Sequence, residues 1–299
     1  MQPSAPMDHE ITQHYATAID ALCETAAAAY TLGRWGHALS LLRTTLQLLE
    51  THEATPWHRL KVLHLYGRVL VLDHFLAHEG ADEMFAIIRS AKHLAEAIHD
   101  HQAVADALSL LGQAFYFAAV VESQQRGTFL SAVPEPGNYA QALAYQQQAL
   151  ELRKALPDTR GISESYFQIG AVYERWQEHE RSRDYYRKAL EFADQGGHQR
   201  EKTEPTRHLA IHALREGNLD RALTLALQAL SLREAVRFKP FLPLDHLLVR
   251  DVYLAKGDTT NAEFHTQQAA ALAEEMGLQR LVASMPNIRD VLGDQRAGA

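Results

Sequence analysis

The chain has 299 residues, of which 46% are hydrophobic, and its 10 prolines and 16 glycines stand largely where helices would have to stop, so the composition favours helix over sheet. The formal net charge of -8 at pH 7 excludes a general phosphate-binding surface, because nonspecific nucleic-acid affinity needs Lys and Arg in excess. Cys23 is the only cysteine, which excludes an intrachain disulfide and a cysteine-based zinc site and fits a reducing compartment.

The N-terminal segment, MQPSAPMDHE, has neither the basic nor the apolar region of a leader peptide. No later stretch reaches the roughly 18 uncharged apolar residues of a membrane span. We therefore expect residues 1–8 to be a disordered tail. We also expect a cytoplasmic protein that has no membrane partner and no nucleic-acid partner.

Apolar residues recur at helical spacing along the rest of the chain. The predicted helices cover 9–32, 36–51, 57–78, 82–99, 101–125, 139–155, 159–177, 179–195, 203–216, 218–236, 243–256 and 258–276. They would pair into about six hairpins in a solenoid over residues 9–277, closed by a capping helix near 278–292 within a final segment 278–299. The alternating apolar and polar faces of that segment are typical of a terminal cap.

Four small residues mark an internal repeat. Ala142, Ser182, Ala222 and Ala262 lie 40 residues apart, and such a period is typical of helical repeat proteins. Where the two helices of a hairpin cross, only Gly, Ala or Ser lets their backbones approach closely. We therefore predict that these four residues occupy equivalent buried sites in the second helix of their hairpins.

One copy of the repeat carries Gly170, Tyr173, Ser182, Tyr186 and Ala189. The pattern resembles the tetratricopeptide repeat, in which Gly, Tyr, Ala, an aromatic residue and Ala recur at these offsets. The resemblance implies an all-α, right-handed superhelix of helical hairpins. The usual period is about 34 residues, so a longer period implies longer helices, as in kinesin light chains and in the sensor domains of some bacterial transcription regulators.

The resemblance covers about residues 10–277, with an insertion in the third repeat at 117–138. The insertion carries Phe129, Leu130 and Val133, apolar residues that a solvated loop would not need. Two interpretations stay open. The insertion packs against the long helix before it, or it forms a lid over a ligand pocket.

Catalysis has little support in the sequence. There is no Gly-rich phosphate loop, nucleophile elbow, HExxH motif or thiol pair, so we predict no catalytic residue and no cofactor. His74 and His78 are four residues apart on one predicted helix, and a third ligand would complete a zinc or iron site. The alternative is a pair of solvated or hydrogen-bonded histidines. Because such pairs arise readily by chance, we predict no bound metal.

The resemblance also implies a binding groove, since the first helix of each tetratricopeptide repeat lines the concave face. Carried over to this sequence, the groove positions are Lys61, His64, Arg68, Ser109, Gln113, Tyr116, Phe167, Glu174, Arg207, Ile211, Leu247 and Asp251. The Lys/Asn clamp with which the chaperone-tail binders of this family hold a terminal carboxylate is missing, because no Asn occupies these positions. Lys61, Arg68 and Arg207 still offer charge-assisted bonds to an acidic ligand.

We expect a non-catalytic scaffold or sensor module that holds a peptide or protein segment, acidic in character, in the groove. Two alternatives stay open. The first is a small-molecule or metal-binding protein, or an enzyme, that uses the His-rich N-terminal half and the 117–138 insertion as a pocket. The second is a regulatory subunit that works as a homodimer through an exposed edge of the solenoid.

Overall fold

The computed structural model describes residues 6–51, 55–126 and 136–278, and every regular element in these ranges is helical. The helices are α1 (Pro6–Thr31), α2 (Trp35–Thr51), α3 (Pro56–Ala77), α4 (Ala81–Ala97), α5 (His101–Gln125), α6 (Pro136–Ala155), α7 (Thr159–Arg175), α8 (His179–Gln195), α9 (Gln199–Arg215), α10 (Leu219–Ala235), α11 (Leu242–Lys256) and α12 (Thr259–Met276). A short 3-10 helix, Lys239–Phe241, precedes α11.

The predicted helices are confirmed, with three starts displaced. α6 begins at Pro136 rather than at 139. α1 begins at Pro6, so the predicted tail over 1–8 is too long by three residues. α9 begins at Gln199 rather than at 203, because Pro205 lies inside the helix and does not end it. The predicted closing helix and residues 127–135 of the predicted 117–138 insertion, with Phe129, Leu130 and Val133, lie outside the described residues.

Short polar side chains fix where the helices begin. Asp100, Asp158 and Asp258 each accept a hydrogen bond from the backbone N–H three residues later, at 2.9–3.0 Å, and Asn218 does the same at 3.3 Å. Each cap satisfies one of the backbone donors that an α-helix leaves unpaired at its start. The chain can therefore turn within a few residues from one helix to the next.

The predicted small-residue sites are confirmed. Ala142, Ser182 and Ala222 are fully buried, and Ala262 is 2% exposed. On the facing helix of one hairpin, a Cβ added to Gly170 would come within 2.8 Å of the ring of Tyr186. The two backbones of a hairpin thus approach as closely as a missing side chain allows.

Enlarging one of these sites should destabilise the protein. We expect Ala222→Leu to lower the free energy of unfolding by about 1–3 kcal/mol, because the added methyl groups overpack the α9–α10 crossing. Urea denaturation measures this. Ala235→Leu is the matched control, since Ala235 is exposed at the end of the same helix; its effect should stay within about 0.5 kcal/mol. Equal effects at both positions would contradict the repeat register.

α5 is the most apolar helix of the solenoid. By length and composition alone it could cross a membrane, with a mean hydropathy of 1.6 over its most apolar window. Of that window 67% is buried inside the protein, and Asp106 and Glu122 interrupt its apolar run. Burial in the core therefore accounts for its composition.

The first hairpin meets the last part of the chain, so the solenoid closes into a ring. The Tyr30 ring packs edge-on against Phe238, with centroids 5.4 Å apart, and Trp35 shares an apolar cluster with Met276. Gly33 has φ +77°, and a Cβ there would overlap the Met276 thioether. Glycine is required at this position for both reasons. We call the contact between these five residues the seam.

Candidate functional site

The ring encloses a central cavity of about 580 Å³, lined mainly by the odd-numbered helices from α3 to α11. The structure brings most of the predicted groove residues together around this one space. Those that line it are His64, Arg68, Ser109, Gln113, Tyr116, Phe167, Glu174, Arg207, Ile211, Leu247 and Asp251. The carry-over of groove positions from the repeat pattern therefore identified the face that surrounds the cavity.

Lys61 is the exception, and its placement in the groove was wrong. Its Nζ lies 2.7 Å from Oδ1 of Asp20 on α1, and the side chain is 48% exposed. Lys61 stands near the N-terminal end of α3, where the neighbouring α1 offers a carboxylate outside the cavity. The predicted strip of three cations is therefore absent from the cavity wall.

One side of the central cavity is apolar. Leu72 and Phe75 on α3 face Phe117 and Val120 on α5, and the centroids of the two Phe rings are 5.0 Å apart. Tyr116 adds its ring to this wall, and burial raises the pKa of its hydroxyl group. A ligand that lies against this wall gains from removal of its own apolar surface from water.

The remaining wall is dominated by guanidinium and carboxylate groups, and among the described residues that line it there is no lysine. The nine lining arginines are Arg68, Arg153, Arg160, Arg175, Arg200, Arg207, Arg215, Arg233 and Arg250. The seven lining carboxylates are those of Asp106, Asp158, Glu164, Glu174, Glu201, Glu204 and Asp251. In a chain with a net charge of -8, the cavity lining thus carries more cations than anions.

Arg153 reaches the cavity from α6 and is the centre of one buried network. Its guanidinium donates to the Gly161 carbonyl and to Ser165 Oγ, both at 2.9 Å. The same group donates to Asp106 at 2.8 Å and to Glu164 at 3.0 Å. Its side chain is 2% exposed, so these bonds replace water almost entirely.

Arg233, on α10, is the centre of a second buried network. It pairs with Asp245 and with Glu204, and its side chain is 2% exposed. Arg207 donates to Glu204 at 2.8 Å and lies 3.9 Å from Asp245. Burial raises the pKa of Asp245, although Arg233 and Arg207 oppose that rise. The predicted groove cation Arg207 is therefore already paired within the protein.

Sequence reasoning missed Arg153 and Arg233 because it assigned the groove to the first helix of each hairpin only. A signal was present. Arg153 follows Ala142 by the same interval as Arg233 follows Ala222, and the two arginines lie two repeats apart. The other repeats have Ala193 or Ala273 at this position. A long cation in place of alanine indicates a side chain that crosses into the next hairpin.

Glu174 joins three neighbouring helices. Its Oε2 accepts a hydrogen bond from the Tyr186 hydroxyl and lies 2.6 Å from His208 Nδ1, and its Oε1 accepts from Arg215 at 3.0 Å. Burial alone would raise the pKa of Glu174, but the His208 ring and Arg215 hold it well below its usual range. Glu174 is therefore a charged structural centre at the cavity wall.

His208 has no nitrogen left for proton transfer. Arg207 Nη2 lies 3.1 Å from Nε2, and because a guanidinium can only donate, Nε2 accepts. Nδ1 then carries the proton and donates to Glu174. Burial lowers the pKa of His208, which favours this neutral form. The arrangement orients the ring without leaving it a free general base.

Arg68 and Arg200 differ from the other arginines of the wall. Both line the central cavity and are half-buried. Among the described residues neither has a carboxylate within 4 Å, whereas Arg160, for example, lies 2.7 Å from Glu201. Of the three cations predicted for the groove, Arg68 alone therefore presents an uncommitted guanidinium to the cavity.

His74 and His78 do not share one helical face. His74 is buried, with Nδ1 2.8 Å from the Glu79 carbonyl oxygen. His78 ends α3 in a left-handed conformation, φ 62°, so it does not continue the helical face of His74. Within the described ranges, no group of three or more His, Cys, Asp or Glu side chains is placed to hold a metal ion.

Residues 137–195 match the model of the tetratricopeptide repeat family. A comparison with curated proteins gives no match. The Rap conjugation gene regulator of plasmid pLS20, in complex with the Phr* peptide, is similar with a TM-score of 0.60 and 13% identity over 96% of this chain and 67% of that chain. A Rap protein complexed with Competence and Sporulation Factor gives a TM-score of 0.53 and 17% identity over 88% and 68%. BtubC from P. vanneervenii gives 0.51 and 14% over 89% and 92%.

At these identities the likeness to solved structures concerns the fold. It extends along most of the chain, while the family match covers the three helices α6, α7 and α8. The buried small residues at a 40-residue period carry the same pattern beyond the matched segment. Residues 137–195 therefore carry a tetratricopeptide repeat, and the fold of the described residues is an all-α helical repeat.

Proposed function

We propose that this protein is a non-catalytic binding module that holds a peptide or protein segment in its central cavity. The observation that carries the proposal is the cavity itself, in which an apolar wall faces uncommitted guanidinium groups within about 580 Å³. Ligand pockets commonly measure about 300–1,000 Å³. A peptide offers apolar side chains to one wall, and its carbonyl and acidic oxygens are acceptors for the other.

The chemistry of the wall favours binding over catalysis. Both ring nitrogens of His208 are occupied, and Glu174 is held as a carboxylate by its partners. Neither group is thus poised to exchange a proton with a ligand. Preformed ion pairs instead keep the wall rigid, which reduces the entropy lost when a segment binds.

One protein of similar fold supports a peptide ligand, since that Rap regulator is in complex with the Phr* peptide, and a second Rap protein is complexed with Competence and Sporulation Factor. The excess of guanidinium groups over carboxylates in the cavity lining supports an acidic segment. A cytoplasmic location and the absence of nucleic-acid and membrane partners stay predictions. The homodimer stays an alternative.

Site-specific photo-cross-linking tests the proposal. A benzophenone-bearing phenylalanine is placed at Phe167, which lines the cavity, and separately at Phe264, which is 53% exposed on α12 outside it. We expect irradiation of producing cells to attach a peptide or protein segment at position 167 and not at position 264. Mass spectrometry of the adducts identifies the attached chain.

Two results would overturn this function. Identical adducts at both positions would mean that the cavity has no special role. Adducts of small molecules alone at position 167 would favour the small-molecule alternative. Native mass spectrometry of the purified protein provides an independent check, because a retained small ligand would add a discrete mass.

A further inference from the structure

Arg68 and Arg200 come from distant parts of the chain but face the same space. Arg68 lies on α3, and Arg200 is the second residue of α9. Six other arginines of the cavity wall each have a carboxylate within 4 Å: Arg153, Arg160, Arg207, Arg215, Arg233 and Arg250. Within the described ranges Arg68 and Arg200 have none. Their donors are therefore available to a ligand.

The charges of these two guanidinium groups repel each other across the cavity that both line. Burial lowers the pKa of Arg200, and the charge of Arg68 lowers it further, as does that of Arg160. Like charges in a partly dry cavity interact more strongly than in water. An anion between Arg68 and Arg200 would replace this repulsion by two attractions.

Arg200 also touches the seam. Its guanidinium carbon lies 4.4 Å from the centroid of the Phe238 ring, and that ring packs against Tyr30 of the first hairpin. The position of Arg200 is thus linked by direct contact to the place where the ring closes. On the other side, Arg68 is followed one and two turns later on α3 by Leu72 and Phe75 of the apolar wall.

We propose that Arg68 and Arg200 bind an oxyanion of the ligand, a carboxylate or a phosphate, and that this bridge between α3 and α9 stabilises closure of the ring at the seam. The ligand then places an apolar group beside Leu72 and Phe75, next to its anionic group. The inference rests on the proposed function for the identity of the ligand as a bound segment. The anion site itself is testable with a small ion.

Titration with inorganic phosphate at constant ionic strength is the direct experiment, and glutarate serves as the carboxylate probe. We expect saturable stabilisation of the wild-type protein against thermal unfolding by one or both anions. Arg68→Met and Arg200→Met should each weaken the affinity at least about tenfold, because each removes a charge-assisted hydrogen bond. Arg200→Lys keeps the positive charge and should therefore retain part of the anion affinity.

Lys61→Met is the matched control. Lys61 lies on the same helix as Arg68 but pairs with Asp20 outside the cavity. Its replacement should leave anion affinity unchanged. Circular dichroism verifies that each variant is folded, and comparison of the variants at equal salt separates site binding from the general effect of phosphate on stability.

Hydrogen exchange tests the link to the seam. Backbone amides between Tyr30 and Trp35 should exchange more slowly in the wild type when phosphate is bound, and Arg68→Met should abolish this change. Binding of phosphate alone would identify the ligand's oxyanion as a phosphate, and binding of glutarate alone would identify it as a carboxylate. Absence of binding by either anion, or affinity unaltered in both Met variants, would overturn the anion site.

Anion binding without slower exchange at the seam would overturn the proposed stabilisation of ring closure. Failure of the anion site is distinguishable from failure of the proposed function. If a segment still cross-links at position 167 while no anion binds at Arg68 and Arg200, the module binds its segment by other contacts. If anions bind and no segment cross-links, the site stands and the ligand is not a polypeptide.

Discussion

Replacement of Arg233 by methionine is expected to lower the free energy of unfolding by about 3–5 kcal/mol. The side chain of Asp245 is fully buried, and without Arg233 its nearest cation is Arg207, whose Nε is 3.9 Å away. A buried carboxylate that loses its main partner keeps the cost of leaving water and loses the compensating attraction. Urea denaturation at pH 7, followed by circular dichroism, measures the loss.

A double replacement makes this prediction sharper. Arg233→Met combined with Asp245→Leu removes both charges, and because apolar residues can replace a buried ion pair at little cost, much of the lost stability should return. Glu204 keeps Arg207 as its partner at 2.8 Å in the double variant. Arg221→Met, at an exposed position of the same helix, should change stability by no more than about 0.5 kcal/mol. A single variant as stable as this control would contradict the assigned role of Arg233.

Local patterns predicted most of the fold. The apolar spacing and the position of turns specify helices because both depend on neighbours within a few residues. Ala142 and Ala222 identify the hairpin crossings, since a larger side chain cannot fit where two backbones touch. The start of α9 was placed too late because Pro205 is tolerated within the helix there, a tolerance that depends on the tertiary surroundings.

Closure of the ring could not be predicted in the same way. The seam joins Gly33 to Met276 and Tyr30 to Phe238, pairs that are separated by most of the chain. Whether they meet depends on small rotations between hairpins that accumulate over the whole solenoid. The need for glycine at position 33 therefore has a cause that no local pattern contains.

The sequence predicted which helical face lines the cavity, but not which charged groups on that face are paired. A repeat register specifies which helical face turns inward, so Arg68, Glu174 and Arg207 were placed correctly on the cavity wall. Ion pairs between side chains of neighbouring repeats determine which of these charges remains available to a ligand, and the repeat register does not specify them. Arg207 is neutralised by Glu204, whereas Arg200, which was not predicted, has no carboxylate partner within the part of the chain that the structure describes.

Glu174→Gln is expected to lower the free energy of unfolding at pH 7 by about 3–5 kcal/mol, because an amide presents its own N–H donors to groups that already donate. Arg215 would lose the carboxylate that pairs with it at 3.0 Å, and His208 Nδ1 would lose its acceptor. Glu191→Gln is the control, since Glu191 is exposed on α8. Its effect should be within about 0.5 kcal/mol.

The pH dependence gives this last prediction its specific signature. The folded-state pKa of Glu174 lies well below the value of 4.5 of an unperturbed carboxyl group, so its contribution to stability is complete above pH 4.5 and is lost as the pH falls through the folded-state pKa. Wild type and Glu174→Gln should therefore differ most at neutral pH and converge as the solution is acidified below 4.5. Urea titrations at pH 7 and at successively lower pH measure the gap. A gap that stays constant on acidification would mean that the lost stability comes from altered packing and not from the charge of Glu174.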